Sequence, residues 1–118
     1  MAEKGAYSFR PYERLRNRRD FDRIRSKGAR IKGRSFIINY MLNGLAFSRL
    51  GIVVPKKYYK KAVKRNRIKR CIREWFRLHK HLLSSPGKDI VVVVLPGLEL
   101  RNCRYVFEEL GRLCERIS

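Results

Sequence analysis

Acidic residues are scarce in this chain: Asp and Glu number 10 among 118 residues, against 30 Lys and Arg. A metal-dependent nuclease needs carboxylates that converge on one site. Asp20 and Asp22 point in different directions on a short predicted helix. Glu108 and Glu109 are adjacent on what the pattern predicts to be the solvent face of another helix. The sequence therefore predicts no catalytic residue and no metal site in the chain.

Histidine and cysteine are also rare, with two and three residues respectively. His79 and His81 are too close in sequence to share a helix face, so the paired histidines of a metal-free nuclease are not favoured over solvent or phosphate contact. Cys71, Cys103 and Cys114 do not match a zinc spacing and are predicted on apolar helix faces. Three cysteines cannot all pair within one chain, and we expect a cytoplasmic protein with reduced thiols.

Long hydrophobic runs are missing. The longest uncharged apolar run, residues 90–95, is far short of the ~20 residues that span a bilayer, and Met1–Gly5 has no apolar core of a secretion signal. Gly-rich phosphate loops and nucleophile elbows are absent as well. Because 44% of the residues are hydrophobic, the chain is nevertheless expected to fold, as one domain over residues 1–118 with residues 1–12 extended or flexible.

The positive charge, formally +20, is concentrated in two blocks. Residues 1–34 carry 12 basic and 4 acidic side chains, and residues 56–81 carry 12 basic side chains against one acid. Residues 35–55 hold a single charge, and residues 82–118 are balanced. Self-repulsion at this density is unfavourable, and a phosphate backbone is the usual partner that offsets it. The pattern predicts a nucleic-acid partner, with no membrane and no obligate protein partner.

The periodicity predicts an α+β fold with helices packed on a sheet. The predicted elements are a helix at about 18–27, a weak strand near 29–32, strands at about 35–41 and 47–54, a helix at about 62–81, a strand at 90–95 and a last helix near 106–117. Asn17 is the expected N-cap of the first helix, and Pro11 favours an extended segment before it. Asn43-Gly44 predicts a hairpin between the second and third strands. The continuous apolar strand 90–95 is predicted to be central.

The helix at 62–81 has two different faces. Its apolar face, predicted to pack in the core, consists of Ile68, Cys71, Ile72, Trp75, Phe76 and Leu78. Its opposite, basic face consists of Asn66, Lys69, Arg70, Arg73 and Arg77. Arginine forms bidentate contacts with phosphate, so this face is the candidate RNA-binding surface.

Aromatic residues are interleaved with arginines near the N-terminus. Phe9, Tyr12 and Phe21 alternate with Arg10, Arg14, Arg16, Arg18 and Arg19, a composition typical of single-strand stacking sites. Phe21 fits the core face of its helix equally well, so both interpretations stay open.

The run from Lys61 to Arg77, Lys-Ala-Val-Lys-Arg-Asn-Arg-Ile-Lys-Arg-Cys-Ile-Arg-Glu-Trp-Phe-Arg, resembles the signature of the bacterial ribonuclease P protein family. The segments Arg14-Leu15, Arg18-Arg19-Asp20-Phe21, Arg49-Leu50-Gly51-Ile52-Val53-Val54 and Asp89-Ile90-Val91-Val92, together with Gly28, are similar to other parts of that family. The resemblance covers about residues 8–117. Composition alone also permits a structural RNA-binding protein, such as a ribosomal protein.

The resemblance implies an αβββαβα fold with a left-handed βαβ crossover through the basic helix. It implies a subunit of ribonuclease P that binds a catalytic RNA and the single-stranded 5′ leader of precursor tRNA. The RNA subunit would cleave the leader with Mg²⁺, and the protein alone would bind no cofactor.

Carried over by position, the resemblance assigns two sets of site residues. The set expected to bind RNA is Arg65, Asn66, Arg67, Lys69, Arg70 and Arg73. The set expected in the leader-binding cleft is Phe21, with Phe9 and Lys56 or Lys57 nearby. Arg25 and Asn39 stand where some relatives carry aromatic residues, and the loop Tyr58–Lys61 is one residue longer and lacks the family's glycine.

Overall fold

The structure, a computed structural model, describes residues 11–83 and 86–117. Its elements are α1 (Arg18–Lys27), β1 (Ala29–Lys32), β2 (Phe36–Leu42), β3 (Arg49–Val53), α2 (Ala62–Leu83), β4 (Lys88–Val94) and α3 (Arg104–Cys114). This order confirms the predicted αβββαβα sequence of elements, with the weak early strand present as β1. Asn17 caps α1 as predicted, because its Oδ1 accepts a hydrogen bond from the Arg19 backbone N–H at 2.8 Å.

The sheet has the strand order β1-β2-β4-β3. β2 is antiparallel to both β1 and β4, whereas β3 and β4 are parallel and joined by the crossover through α2. The predicted central position of the apolar strand is confirmed, since β4 lies between β2 and β3. The hand of the crossover stays a prediction.

The predicted hairpin between β2 and β3 is wrong. Asn43-Gly44 does form a turn, with Gly44 at φ +72°, but the loop passes the start of β4 instead of returning along β2. The Asn43 backbone N–H donates to the Gly87 carbonyl at 3.2 Å, and a Cβ on Gly87 would lie 2.4 Å from the Leu45 carbonyl oxygen. The apolar β4 gains two neighbours by inserting between the strands, and this long-range pairing outweighs the local turn signal.

One face of the sheet is covered by α2 and α3. The buried side chains of β2, β3 and β4 that point to this face pack against Ile68, Ile72 and Phe76 of α2 and Val106 and Leu110 of α3. Trp75 belongs to the same core and is 1% exposed, which confirms its predicted position. The core fixes which side of α2 faces outward.

The other face of the sheet is covered only in part, by α1. Ile24 of α1 packs with Leu15 and Val91 in a second, smaller cluster. At one end of this face, fully buried Asp89 accepts hydrogen bonds from Arg49 Nε at 2.8 Å and from Arg23 Nη2 at 3.1 Å. The bond to Asp89 raises the pKa of the Arg49 guanidinium. This ion-pair cluster attaches α1 to the end of β4.

Within the described part of the segment before α1, only Pro11–Glu13 are not extended, since Arg14 forms a parallel β-bridge with Leu50 and Asn17 has an extended backbone. Pro11–Glu13 form one turn of 3-10 helix, which Pro11 can begin because its fixed φ suits a turn. Buried Glu13 accepts hydrogen bonds from Lys80 Nζ of α2 at 2.7 and 2.8 Å. This burial holds the turn against α2, so the predicted extended conformation is wrong at Pro11–Glu13. The rest of the segment predicted to be extended, residues 1–10, lies outside the described residues.

Two expectations about α3 and its surroundings are wrong. Glu108 is exposed as predicted, but Glu109 is buried and accepts hydrogen bonds from the Ser35 backbone N–H at 2.8 Å and from the Tyr105 hydroxyl. Cys103 is the N-cap residue of α3 and forms a disulfide with Cys71. The two cysteines were expected to stay reduced, and packing of α3 against α2 instead brings their Cα atoms to 5.3 Å. Within residues 11–83 and 86–117, no helix is both long and apolar enough to cross a membrane.

Candidate nucleic-acid interface

The exposed side of α2 carries Arg67 in addition to Asn66, Lys69, Arg70 and Arg73 of the basic face. Lys69 is half-buried and the other four are exposed. The buried neighbours on the opposite side of the helix fix their direction, and no carboxylate within the described part of the chain pairs with them. The structure therefore brings Asn66, Lys69, Arg70 and Arg73 together on one rigid surface, whereas Arg67 projects to one side of it and lines a hollow with Lys64 and Glu99.

Arg65 points elsewhere. Its Nη1 donates to the carbonyl oxygens of Tyr59 and Lys60, both at 2.9 Å. The side chain thus holds the preceding loop against the first turn of α2. Its predicted contact with RNA would use the remaining guanidinium nitrogens.

The basic face ends at Arg77. We predicted Arg77 on this face, but it hydrogen-bonds Glu74 one turn earlier through Nε at 3.2 Å and through Nη2. The bond raises the pKa of Arg77 and lowers the pKa of Glu74. Because Arg77 is paired with Glu74, the cations of this face that pair with no described carboxylate are Lys69, Arg70 and Arg73.

A hollow of about 170 Å³ joins the two basic blocks of the sequence. Arg14 and Arg16, from the segment before α1, line it together with Lys69 and Arg73 of α2. Burial, and then the charge of Arg14, lower the pKa of Arg73, as expected for cations that converge. From the sequence, Arg14 and Arg16 are grouped only with the aromatic residues Phe9, Tyr12 and Phe21. Their alternation around the buried Leu15 was the available signal that both project to the same side.

A second hollow, of about 130 Å³, lies on the face of the sheet that α1 covers in part. Phe21 forms one wall, and the valines Val53, Val91 and Val93 form the apolar floor. The Phe21 ring also packs on β3, since a Cβ on Gly51 would lie 2.6 Å from its Cζ. Phe21 is half-buried, so both interpretations of this residue hold in part: it packs with the sheet and it faces the open hollow.

Two polar residues complete this second hollow. Asn39 lies in β2 between Arg30 and Val91, is 5% exposed, and makes no side-chain hydrogen bond to any described residue. Arg25 lies one turn after Phe21, is exposed, and pairs with Asp22 at 3.1 Å. The hollow therefore combines one ring, an apolar floor, an amide and a guanidinium.

The other residues predicted for the leader cleft are farther from it. Lys56 and Lys57 are exposed in the turn just after β3, beyond Val53, and do not line the hollow. Lys57 instead lies 5.0 Å from the centroid of the Tyr58 ring. Phe9 lies outside the described residues.

The loop that departs from the family pattern is held by Tyr59. Its side chain is 3% exposed, and its hydroxyl donates to the Leu95 carbonyl and accepts from the Leu98 backbone N–H at 3.0 Å. Tyr58 is 46% exposed. One tyrosine thus ties the loop to the segment after β4, and the other faces outward beside Lys57.

His79 and His81 do not form a pair. His79 Nδ1 lies 2.8 Å from the Trp75 carbonyl oxygen, and its ring stacks on Trp75 with 5.9 Å between centroids. His81 is exposed. Among the described residues, His, Cys, Asp and Glu form no group of three that could hold a metal ion.

Comparisons with known proteins point to one family. The chain matches the family model described as Ribonuclease P over residues 9–118. It is 47% identical over 107 residues to the ribonuclease P protein component of Syntrophobacter fumaroxidans, covering 91% of this chain and 89% of that protein. The solved structure of the RNase P protein from Thermotoga maritima is 41% identical, with a TM-score of 0.80 over 90% of this chain and 98% of that one. For the RNase P protein of Staphylococcus aureus the identity is 34% and the TM-score 0.79, over 87% of this chain and 93% of that one. The chain therefore belongs to the ribonuclease P protein family, the RNA-binding subunits of the endoribonuclease that processes the 5′ ends of tRNA.

Proposed function

We propose that the chain presents two surfaces to two different RNAs. The basic face of α2 binds the structured catalytic RNA, and the hollow beside Phe21 binds the single-stranded 5′ leader of precursor tRNA. The observation that carries the proposal is the basic hollow between Arg14, Arg16, Lys69 and Arg73, because it extends the positive charge of α2 onto the segment that leads into α1, the helix that carries Phe21. Family membership favours this role over that of a ribosomal protein.

The basic face of α2 suits an RNA of fixed shape. Five polar or cationic side chains project from a helix whose opposite side is anchored in the core, so the spacing of their charges is rigid. Structured RNA is recognised mainly through its backbone and shape, which such an array can match. Exposed arginines at this density can each contact a phosphate bidentately.

The hollow beside Phe21 suits unpaired nucleotides. Single-strand sites combine aromatic stacking with cations that follow the backbone. Here the half-buried Phe21 supplies the ring, and Arg25 and Arg30 supply exposed charge on either side of Asn39. A double helix is too wide to enter so small a hollow and stack on the ring in its wall.

The remaining expectations belong to the same proposal. Mg²⁺ acts in the RNA subunit, and this chain contributes binding and positive charge. The protein works in the cytoplasm, without an obligate protein partner. Its part in the reaction is to hold the catalytic RNA and the leader of the substrate next to each other.

Two variants and one control test the proposal. Arg70→Ala should weaken binding of the catalytic RNA whether or not a substrate is present, by about 1–2 kcal/mol for one charge-assisted contact. Phe21→Leu should weaken binding of precursor tRNA to the assembled enzyme and leave mature tRNA, which has no leader, unchanged. Arg112→Ala removes an equal charge from an exposed position of α3 and should change the binding of neither RNA. Equal losses for Arg70→Ala and Arg112→Ala would show that total charge, and not the face of α2, determines binding.

A further inference from the structure

The Cys71–Cys103 disulfide joins the RNA-facing helix to the start of the next one. Cys71 lies in α2 directly after Arg70 of the basic face, and Cys103 is the N-cap residue of α3, 32 positions later in the sequence. Cys71 is 4% exposed and belongs to the core, whereas Cys103 is half-buried. One sulfur of the bond is thus sheltered, and the other lies near the surface.

The segment between β4 and α3 is held against α2 by its buried Leu98, which belongs to the core, by hydrogen bonds to Tyr59 and by this disulfide. Tyr59 contacts Leu95 and Leu98 at one end of the segment. Further along, the ion pair of Lys64 and Glu99 spans 3.7 Å, with the Glu99 side chain 86% exposed, so it contributes little. Cys103 closes the segment at its other end. Breaking the disulfide would remove the covalent link between this segment and the side of α2 that backs Arg67 and Arg70.

The environment of the three sulfurs favours exchange with an external thiol over internal rearrangement. Burial raises the pKa of the Cys114 thiol to about 12, so it is almost entirely protonated near neutral pH and does not attack the disulfide. Because Cys103 is half-buried whereas Cys71 is 4% exposed, we expect an external thiolate to attack at Cys103 Sγ. That attack forms a mixed disulfide and releases Cys71 as a thiolate, which takes up a proton. A second thiol then releases Cys103 and leaves as the small-molecule disulfide, so two thiols are oxidised and the protein takes up two electrons and two protons.

We propose that Cys71–Cys103 is a thiol–disulfide exchange site whose oxidised form braces the RNA-binding half of α2. The inference rests on the proposed function of that face. Intracellular disulfides are mostly transient or redox-sensing, which is the behaviour expected of an accessible bond at this position. Because coupling is reciprocal, RNA that prefers the braced helix also makes the disulfide harder to reduce.

The test is a redox titration of the full-length protein in glutathione buffers, with and without the catalytic RNA. Free thiols are blocked with an alkylating agent, and the mass of the protein then reports how many thiols were reduced. We expect RNA to shift the midpoint toward the oxidised form by about fivefold or more, and reduced protein to bind the RNA more weakly by the same factor. Cys103→Ser should bind like reduced protein in every buffer, and Cys114→Ser should behave like the wild type. Identical midpoints with and without RNA, or no disulfide in any buffer, overturn the proposal.

Two further measurements separate the possible failures. A single-stranded leader oligonucleotide should bind oxidised and reduced protein equally, since its hollow lies on the other face of the sheet. If the oligonucleotide loses as much affinity as the catalytic RNA, reduction unfolds the protein and the brace is refuted. If Arg70→Ala has no effect in oxidised protein, the proposed function of α2 fails. If Arg70→Ala weakens binding while the redox state does not, only the brace fails.

Discussion

Gly51 determines where the Phe21 ring can lie. A Cβ at Gly51 would come within 2.6 Å of Phe21 Cζ and 2.7 Å of Cε1, and within 3.2 Å of Leu15 Cβ. Carbon atoms in ordinary contact are about 3.5–4.0 Å apart. In Gly51→Ala the ring must therefore move by about 1 Å away from β3, into the hollow that we assign to the leader.

The expected size of the effect follows from what gives way. The obstructing atoms are the far end of a side chain and not backbone, so the added methyl should cost about 1–2 kcal/mol of stability, within the range for overpacking. The displaced ring no longer offers its face to a nucleotide. Loss of one stacked base is worth about 1–3 kcal/mol, so binding of precursor tRNA by the assembled enzyme should fall at least fivefold. Mature tRNA should bind as before.

Equilibrium binding of both tRNAs and urea unfolding measure these effects together. Gly111→Ala is the matched control, because a Cβ there meets nothing within 4 Å and the residue lies inside α3. It should leave binding unchanged and stabilise the protein by about 0.5–1 kcal/mol. In a Phe21→Leu background, Gly51→Ala should add little further loss of leader binding. If it adds its full effect there, or weakens both tRNAs equally, the assigned position of the ring is wrong.

Four further outcomes are expected. Asp89→Asn should lower the free energy of unfolding by about 3 kcal/mol, because it leaves Arg49 and Arg23 without their buried carboxylate; the exposed pair removed by Asp22→Asn should cost under about 1 kcal/mol in the same urea titration. Binding of the catalytic RNA should weaken by about 10³ or more between 50 and 200 mM salt if ~6–10 cations contact phosphates, and a flat salt plot would contradict this. The purified protein alone should cleave no precursor tRNA at any Mg²⁺ concentration, and activity that survives removal of copurifying RNA but not a single side-chain change would contradict it. Cys114, with its pKa raised to about 12, should be alkylated slowly at pH 7 and faster as the pH rises, and mass spectrometry of the oxidised protein measures both rates.

Elements were predictable from the sequence where one periodic signal sufficed. The two faces of α2 follow from helical spacing alone, and the uninterrupted apolar run of β4 required a central position. Strand order was not predictable in this way. Asn43-Gly44 specifies a turn but not the strand that follows it in space, and β4 enters the sheet from far along the chain.

The candidate site, too, was predictable only in part from the sequence. Residues on one helix, such as Asn66 and Arg70, could be grouped from their spacing. The hollows could not, because Arg14 meets Arg73, and Phe21 meets Val53, only after the sheet and its helices are assembled. The burial of an acid also depends on tertiary contacts. The sequence around Glu109 predicts a surface residue, because its partners Ser35 and Tyr105 come together with it only in the folded protein.

The placement of the few acids explains how so basic a chain folds and still keeps a surface for RNA. Glu13 and Asp89 are buried and hold cations that join separate elements, Lys80 in one case and Arg49 with Arg23 in the other. Surface acids neutralise cations on α1 and in the second half of α2. Within the described residues none pairs with the basic face of α2. Repulsion among those cations is therefore relieved by a polyanion and not by the protein itself, so the same charges that make the free protein less stable make RNA binding strong and steeply dependent on salt.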